Sequence, residues 1–221
     1  MAYLAFLFPG QGSQYVGMGQ DLYDSDPGAR ELFHLAEKTT GLPLKRLCFK
    51  GPMEELTQTV NLQPAVTTVN LCLYQALQKA GVQPRAVCGH SLGEYSALFA
   101  AGALSAADTL AAVRQRGRLM QREAEKYPGA MVAVIGLTPE KLRGLVHPVT
   151  KEGPLALANF NTPEQTVISG SPEMVARAGN LAKAQGARVI PLKVSGAWHS
   201  PLMEEAYPDF AAFLSQCRFQ A

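Results

Sequence analysis

Gly89-His90-Ser91-Leu92-Gly93 sets a serine between two glycines, after the apolar run 86–90 and before a stretch of small residues. Between a buried strand and a helix, this Gly-x-Ser-x-Gly pattern reads as a nucleophile elbow. The sharp turn strains the serine backbone, requires small flanking residues and pushes Oγ into a cleft. It also aims the free N–H groups of the helix N-terminus at the reaction site. The chemistry is nucleophilic attack on an acyl carbon; the bland alternative is an ordinary loop turn, where the pattern is common.

A serine nucleophile needs a base, and the chain offers four histidines. His34 falls on an early helix with a polar face and reads as a surface residue. His90 adjoins Ser91, and strand alternation aims it away from the nucleophile. His147 is expected in a loop before Pro148. His199 follows Val194-Ser195-Gly196-Ala197-Trp198 at an expected domain crossover, a good place to overhang a cleft. It ranks first as the base, with a structural loop histidine as the alternative. Between Ser91 and His199 the sole aspartate is Asp108, and a capping-box role explains it. A Ser–His dyad with a backbone carbonyl orienting the imidazole therefore fits better than a triad.

On the helix expected over 106–126, Arg114, Arg118 and Arg122 share one face and read as a solvated stripe. Arg116 falls on the other side, beside Ala112, Val113, Gly117 and Met120. A guanidinium on an apolar face must find an anion. One reading is a structural salt bridge or snorkelling; the sharper one is a fork held for a substrate carboxylate, bidentate in a way lysine cannot copy. Pro9-Gly10-Gln11-Gly12-Ser13-Gln14 follows the first strand. It has Tyr15 where a dinucleotide fingerprint needs glycine, and it lacks the lysine of a phosphate loop. Its N–H groups can still line a crevice, and the Gln11 amide is a candidate oxyanion donor.

These residues need positioning elements. The run 3–8 reads as a buried parallel strand ending at Pro9-Gly10. Helices are expected over 28–40, over 64–80 from Pro64 to Gly81, over 94–101, and over 106–126 with Ser105-x-x-Asp108 as its capping box. From 127 on, strands near 131–137, 155–160, 165–169 and 188–194 alternate with helices opening at Thr138-Pro139 and Ser171-Pro172. That β-α-β-β-α-β order is a ferredoxin-like unit. The expected architecture is α/β: a large domain of residues 1–126 and 195–221 with a parallel sheet, and a ferredoxin-like subdomain of 127–194 inserted in it.

Composition narrows the classes. The chain has 221 residues, 47% hydrophobic and 17% charged, ordinary for a globular protein. Twenty Lys+Arg against eighteen Asp+Glu argue against a nucleic-acid partner. No apolar run reaches membrane-spanning length, and the opening lacks a signal peptide's basic flank. Cys48, Cys72, Cys88 and Cys217 are widely spaced, disfavouring a zinc site or a disulfide framework. A cytoplasmic monomer without metal or cofactor is expected.

Phe8-Pro9-Gly10-Gln11-Gly12-Ser13-Gln14, Gly89-His90-Ser91-Leu92-Gly93-Glu94-Tyr95, Arg116-Gly117-x-x-Met120 and Gly196-Ala197-Trp198-His199-Ser200-Pro201-Leu202-Met203 together resemble the malonyl-CoA:acyl-carrier-protein transacylases and the acyltransferase domains of polyketide synthases. The segments come in the family's order and span nearly the whole chain. The resemblance implies an α/β-hydrolase-like large domain with a ferredoxin-like small one. Ser91 would then be the acylated nucleophile and His199 its base. The backbone N–H groups of Gln11 and Leu92 would form the oxyanion hole, and Arg116 would bind the malonyl carboxylate. Asn159 and Trp198 would line the cleft. Trp198 stands where the family usually has phenylalanine, which implies a slightly reshaped pocket; Leu92 and Ala197 resemble the malonyl-selective pattern. Family members normally continue past residue 221, and that portion supplies the carbonyl that orients the histidine.

The implied reaction moves malonyl from malonyl-CoA to Ser91, then to the phosphopantetheine thiol of an acyl carrier protein, in fatty acid or polyketide biosynthesis. The rival enzyme is a serine hydrolase or thioesterase, against which Arg116 counts, since neutral acyl chains give no reason for a cation in the pocket. A non-catalytic scaffold that docks a carrier protein is the alternative from another class.

Overall fold

Two parallel strands open the architecture and bring two distant loops side by side. In the computed structural model, which describes residues 3–220, β1 (Ala5–Phe8) pairs with β2 (Ala86–Gly89) in parallel register, Phe8 opposite Gly89. Met1, Ala2 and Ala221, inside the expected large-domain bounds, lie outside the described residues. Between the strands run α1 (Gln20–Ser25), α2 (Pro27–Thr40), α3 (Leu44–Lys50), α4 (Met53–Leu56) and α5 (Thr59–Lys79); α6 (Gly93–Ala100) and α7 (Ala106–Lys126) follow. Local chemistry sets several ends. Asp26 caps α2 by accepting from the Gly28 N–H at 2.8 Å, Pro27 takes the first helical position, and Gly41 closes the helix at φ 68°. The Asp108 N–H donates to Ser105 Oγ at 3.0 Å, and that hydroxyl donates to the Asp108 carboxylate at 2.8 Å.

α5 corrects one expectation. Pro64 does not open the helix but sits inside it, and the helix begins at Thr59. A proline there deprives the Val60 carbonyl of its usual donor. Arg114 Nη1 donates to that carbonyl instead, at 3.2 Å. The expected solvated stripe is corrected with it: Arg114 is half-buried on this duty, while Arg118 and Arg122 are exposed. Burial, with Arg118 adding to it, holds the Arg114 pKa below its ordinary value.

The second half follows the order β3 (Ala130–Ile135), α8 (Pro139–Thr150), β4 (Leu155–Thr162), β5 (Gln165–Gly170), α9 (Pro172–Ala184), β6 (Arg188–Pro191). Its sheet runs β4-β5-β3-β6, antiparallel throughout, which is the ferredoxin-like arrangement. Thr138 and Ser171 cap the two helices as their sequences indicate. The last strand stops at Pro191, short of 194. His147 is not in a loop: it lies within α8, which continues through Pro148 to Thr150. Strand alternation divides β3 between two cores. Val132 and Val134 face Leu142, Val146, Ile168 and Val175, and Met131 and Ala133 face Val167 and Trp198. After β6 come a 3-10 turn (Pro201–Met203) and α10 (Ala206–Leu214).

Packing divides the chain into one unit ending at Arg118 and resumed from Phe210, and a second, Leu119–Asp209. The sequence boundaries were 126/127 and 194/195. In the second unit the end of α7 is tied to the segment before α10: Arg122 pairs with Asp209 at 2.6 Å, and Lys126 pairs with Glu205. The core of the first unit is built on Phe33, Leu44, Leu47, Leu62, Leu71, Leu92 and Leu110. No helix among the described residues is long and apolar enough to cross a membrane.

Candidate active site

The turn from β2 into α6 leaves no room for side chains on either flank of Ser91. A Cβ on Gly89 would stand 2.0 Å from the Gly93 carbonyl carbon, and one on Gly93 would stand 2.1 Å from the Phe8 oxygen. Both obstacles are backbone, so only glycine fits. Ser91 itself has φ 50°, in the left-handed region, a conformation costing about 1–3 kcal/mol that persists only where the surroundings impose it. Leu92, fully buried in the core of the first unit, anchors the far side of the turn.

The Gly93, Glu94 and Tyr95 N–H groups are used within the turn, donating to the His90, Ser91 and Leu92 carbonyls. Among the described residues the Leu92 N–H has no protein acceptor, and neither has that of Gln11. The Gln11 loop runs alongside. A Cβ on Gly10 would lie 2.4 Å from the His90 oxygen and 3.4 Å from the Leu92 nitrogen. Two strand ends thus present unpaired backbone donors beside the elbow, the raw material of an oxyanion hole. Buried Asn70 pins the arrangement: its amide donates to the Pro9 carbonyl at 3.1 Å and to Ser96 Oγ at 3.2 Å.

Arg116 projects from α7 onto the elbow, where Nη2 donates to Ser91 Oγ at 3.1 Å. Its guanidinium carbon lies 5.8 Å from the Tyr95 ring centroid. Among the described residues Arg116 makes no ion pair, so the structural salt bridge is not what holds it. Burial pulls its pKa below the ordinary value, while Tyr95 and Glu94 act in the opposite direction. α7 comes close to α5 at Gly117, where a Cβ would meet the Thr59 oxygen at 3.0 Å. The malonyl carboxylate carbon lies two bonds beyond the ester carbon formed on Oγ, so a fork that reaches Oγ also has such a carboxylate within its span.

His199 belongs to the second unit. It is exposed amid buried neighbours, Gly196, Ala197, Trp198 and Ser200, and has φ 59°. Ser200 fixes its loop, donating to the Ala197 carbonyl at 2.7 Å and accepting from the Leu202 N–H at 3.2 Å. Ser91 and His199 are the only non-glycine residues with positive φ among the described residues.

A family profile described as acyl transferase domain matches residues 5–220. A malonyl CoA-acyl carrier protein transacylase of Bacillus subtilis (strain 168) is 47% identical over 219 residues, covering 98% of this chain and 69% of that protein. The chain belongs to the malonyl-CoA:acyl-carrier-protein transacylase family of acyltransferases. The crystal structure of the Streptococcus pneumoniae transacylase superposes with a TM-score of 0.92 at 42% identity, over 98% of this chain and 71% of that one. A malonyl-transacylase solved with a type II polyketide synthase acyl-carrier protein gives 0.93 at 38% identity, over 99% and 72%.

Within this transacylase fold the first unit brings together Ser91, Leu92, Gln11 and Arg116. The second carries His199 and Asn159, which is half-buried on β4 at a register break between Leu157 and Asn159. Such irregularities often re-aim a side chain. Trp198, expected to line the cleft, is instead 4% exposed, packed with Met131, Ala133 and Val167. Gly196 makes way for it, since a Cβ there would meet the indole at 2.7 Å. His34 and His90 are exposed, and His147 lies within α8. Sequence reasoning missed Tyr95 and Asn70. Tyr95 had a signal, its i, i+4 spacing from Ser91 at the start of a helix; Asn70 had none.

Proposed function

We propose that this chain catalyses malonyl transfer through Ser91, as a two-step exchange between thioester and ester. His199 takes the hydroxyl proton as Ser91 Oγ attacks the malonyl-CoA carbonyl, the Gln11 and Leu92 N–H groups hold the oxyanion, and the coenzyme A thiolate leaves with the proton from His199. The malonyl-serine ester keeps its carboxylate on Arg116. His199 then deprotonates the phosphopantetheine thiol of an acyl carrier protein, whose sulfur attacks the ester carbonyl and displaces Ser91 Oγ, which takes the proton back from His199. The observation that carries this reading is the Arg116 fork, with no ion pair of its own among the described residues, donating at 3.1 Å to a serine in the left-handed region. The relative solved with a carrier protein supports the acceptor. No metal or cofactor is assigned, since the two N–H donors and Arg116 answer the charges that develop. The four free thiols support a reducing, cytoplasmic setting.

Intact-protein mass after mixing with malonyl-CoA or acetyl-CoA tests it. A malonyl adduct forms on the parent chain and is absent in Ser91→Ala. Arg116→Ala loses the malonyl adduct and accepts acetyl at least as well as the parent. Release of free coenzyme A without an adduct would replace the transferase reading with that of a serine hydrolase.

A further inference from the structure

We propose that Tyr95 is a positioning residue for Arg116, and that through it the first turn of α6 sets the preference for acyl groups bearing a free carboxylate. The inference rests on the proposed role of Arg116 at Ser91.

Arg116 reaches the elbow on a long side chain with several free rotations, is half-buried, and has no carboxylate partner within ion-pair distance among the described residues. A single 3.1 Å hydrogen bond to Ser91 Oγ does not fix a planar fork. The second restraint is the Tyr95 ring, 5.8 Å from the guanidinium carbon. A ring face at that distance attracts a desolvated cation and limits its tilt. Tyr95 is itself held. Its N–H donates to the Leu92 carbonyl at 3.2 Å. Its ring meets Phe210 edge-on at 6.2 Å, and Phe210 stacks parallel to Phe213. Burial pushes the Tyr95 hydroxyl pKa up, against the pull of Arg116, so the ring stays neutral beside the cation.

The adjoining residue explains why a bracket is needed. Glu94, exposed on the same turn, already acts on the Arg116 charge. Without the ring, the guanidinium is free to turn toward Glu94, and its fork is then spent on the protein's own carboxylate. A malonyl group would have to compete for it, whereas an acetyl group would not notice. The consequence is a selective loss: recognition of the carboxylate declines while the nucleophile itself stays intact.

The test uses Tyr95→Leu, which removes the ring, and Tyr95→Phe, which keeps it, each in the parent and in Arg116→Ala. Tyr95→Leu raises KM for malonyl-CoA about tenfold, the size of a desolvated cation–π contact, with kcat little changed. Tyr95→Phe restores most of that affinity. Modification of Ser91 by phenylmethanesulfonyl fluoride, which carries no carboxylate, keeps the parent rate in both. In Arg116→Ala, Tyr95→Leu has no further effect on KM, because the two side chains act as one unit. The proposal is overturned if Tyr95→Leu slows the sulfonyl fluoride in step with malonyl transfer, which would make Tyr95 a structural support of the elbow. It is equally overturned if the Tyr95 and Arg116 effects add. If Arg116→Ala alone leaves KM for malonyl-CoA unchanged, it is the role of Arg116 that fails, and Tyr95 has nothing to position.

Discussion

Gly93→Ala probes the elbow with one added carbon. That carbon would sit 2.1 Å from the Phe8 oxygen, 2.8 Å from the Phe8 carbonyl carbon and 2.9 Å from the Pro9 oxygen. Ordinary contact begins at 3.4 Å, so the start of α6 must retreat from the end of β1 by about 1.3 Å. All three obstacles are backbone, and no rotamer change relieves them. Overpacking of this kind typically costs about 1–3 kcal/mol, and rigid neighbours place this case near 3. For a chain of this size that lowers Tm by roughly 6–12 °C. The retreat also moves Ser91 Oγ and the Leu92 N–H away from Gln11, and a displacement near 1 Å costs on the order of a hundredfold in rate. Quenched-flow mass spectrometry of the malonyl adduct measures the rate, and circular dichroism the melting. Gly144→Ala is the comparator: it lies exposed within α8 with nothing within 4 Å of its Cβ, and it should gain about 0.5–1 kcal/mol at unchanged rate. The reasoning is refuted if Gly93→Ala melts with the parent and is acylated within about threefold of its rate, against the hundredfold expected.

Asn70→Leu keeps the volume but strands the Pro9 carbonyl and the Ser96 hydroxyl, so urea unfolding should register a loss of about 1–3 kcal/mol. Acylation should slow with it, as the Gln11 loop loosens. Cys48 and Cys72 are buried thiols whose pKa values burial pushes up from 9.0 to about 12. The folded state therefore binds these protons more tightly than the unfolded chain. Their contribution is complete below pH 9 and is lost as pH climbs toward 12. Melting temperature should fall over that interval, less steeply in a Cys48→Ala, Cys72→Ala chain. Iodoacetamide at neutral pH should reach exposed Cys88 and spare these two until the chain unfolds.

The sequence was most legible where chemistry is local. Ser105, Thr138 and Ser171 announce helix starts because each satisfies N–H groups two or three residues on, and the caps appear where the residues stand. The βαββαβ unit was readable because turn residues punctuate alternating strands. The elbow was readable because only glycine tolerates such approach on both sides. α5 was misread because Gln58 caps it without a side-chain bond, leaving Pro64 as the apparent start; the carbonyl that Pro64 frees is answered by Arg114, 54 residues away. His147 was misplaced for a related reason, since a proline near a helix end does not always terminate it. The resemblance implies a cleft position for Trp198, but its area goes to the core that Gly196 opens for it. Asn70 was invisible because its partner, Pro9, is 61 residues away.

The left-handed backbone at Ser91 and His199 has a bearing on how this protein tolerates change. Each residue holds a conformation that glycine adopts freely, and relief of that strain is worth about 1–2 kcal/mol per site. A library screened for heat resistance alone would therefore drift toward glycine at 91 and 199, enriching sturdy chains that have lost their chemistry. Stability and turnover pull against each other at these two positions, and any campaign to harden the protein has to hold both residues fixed and seek its gains elsewhere.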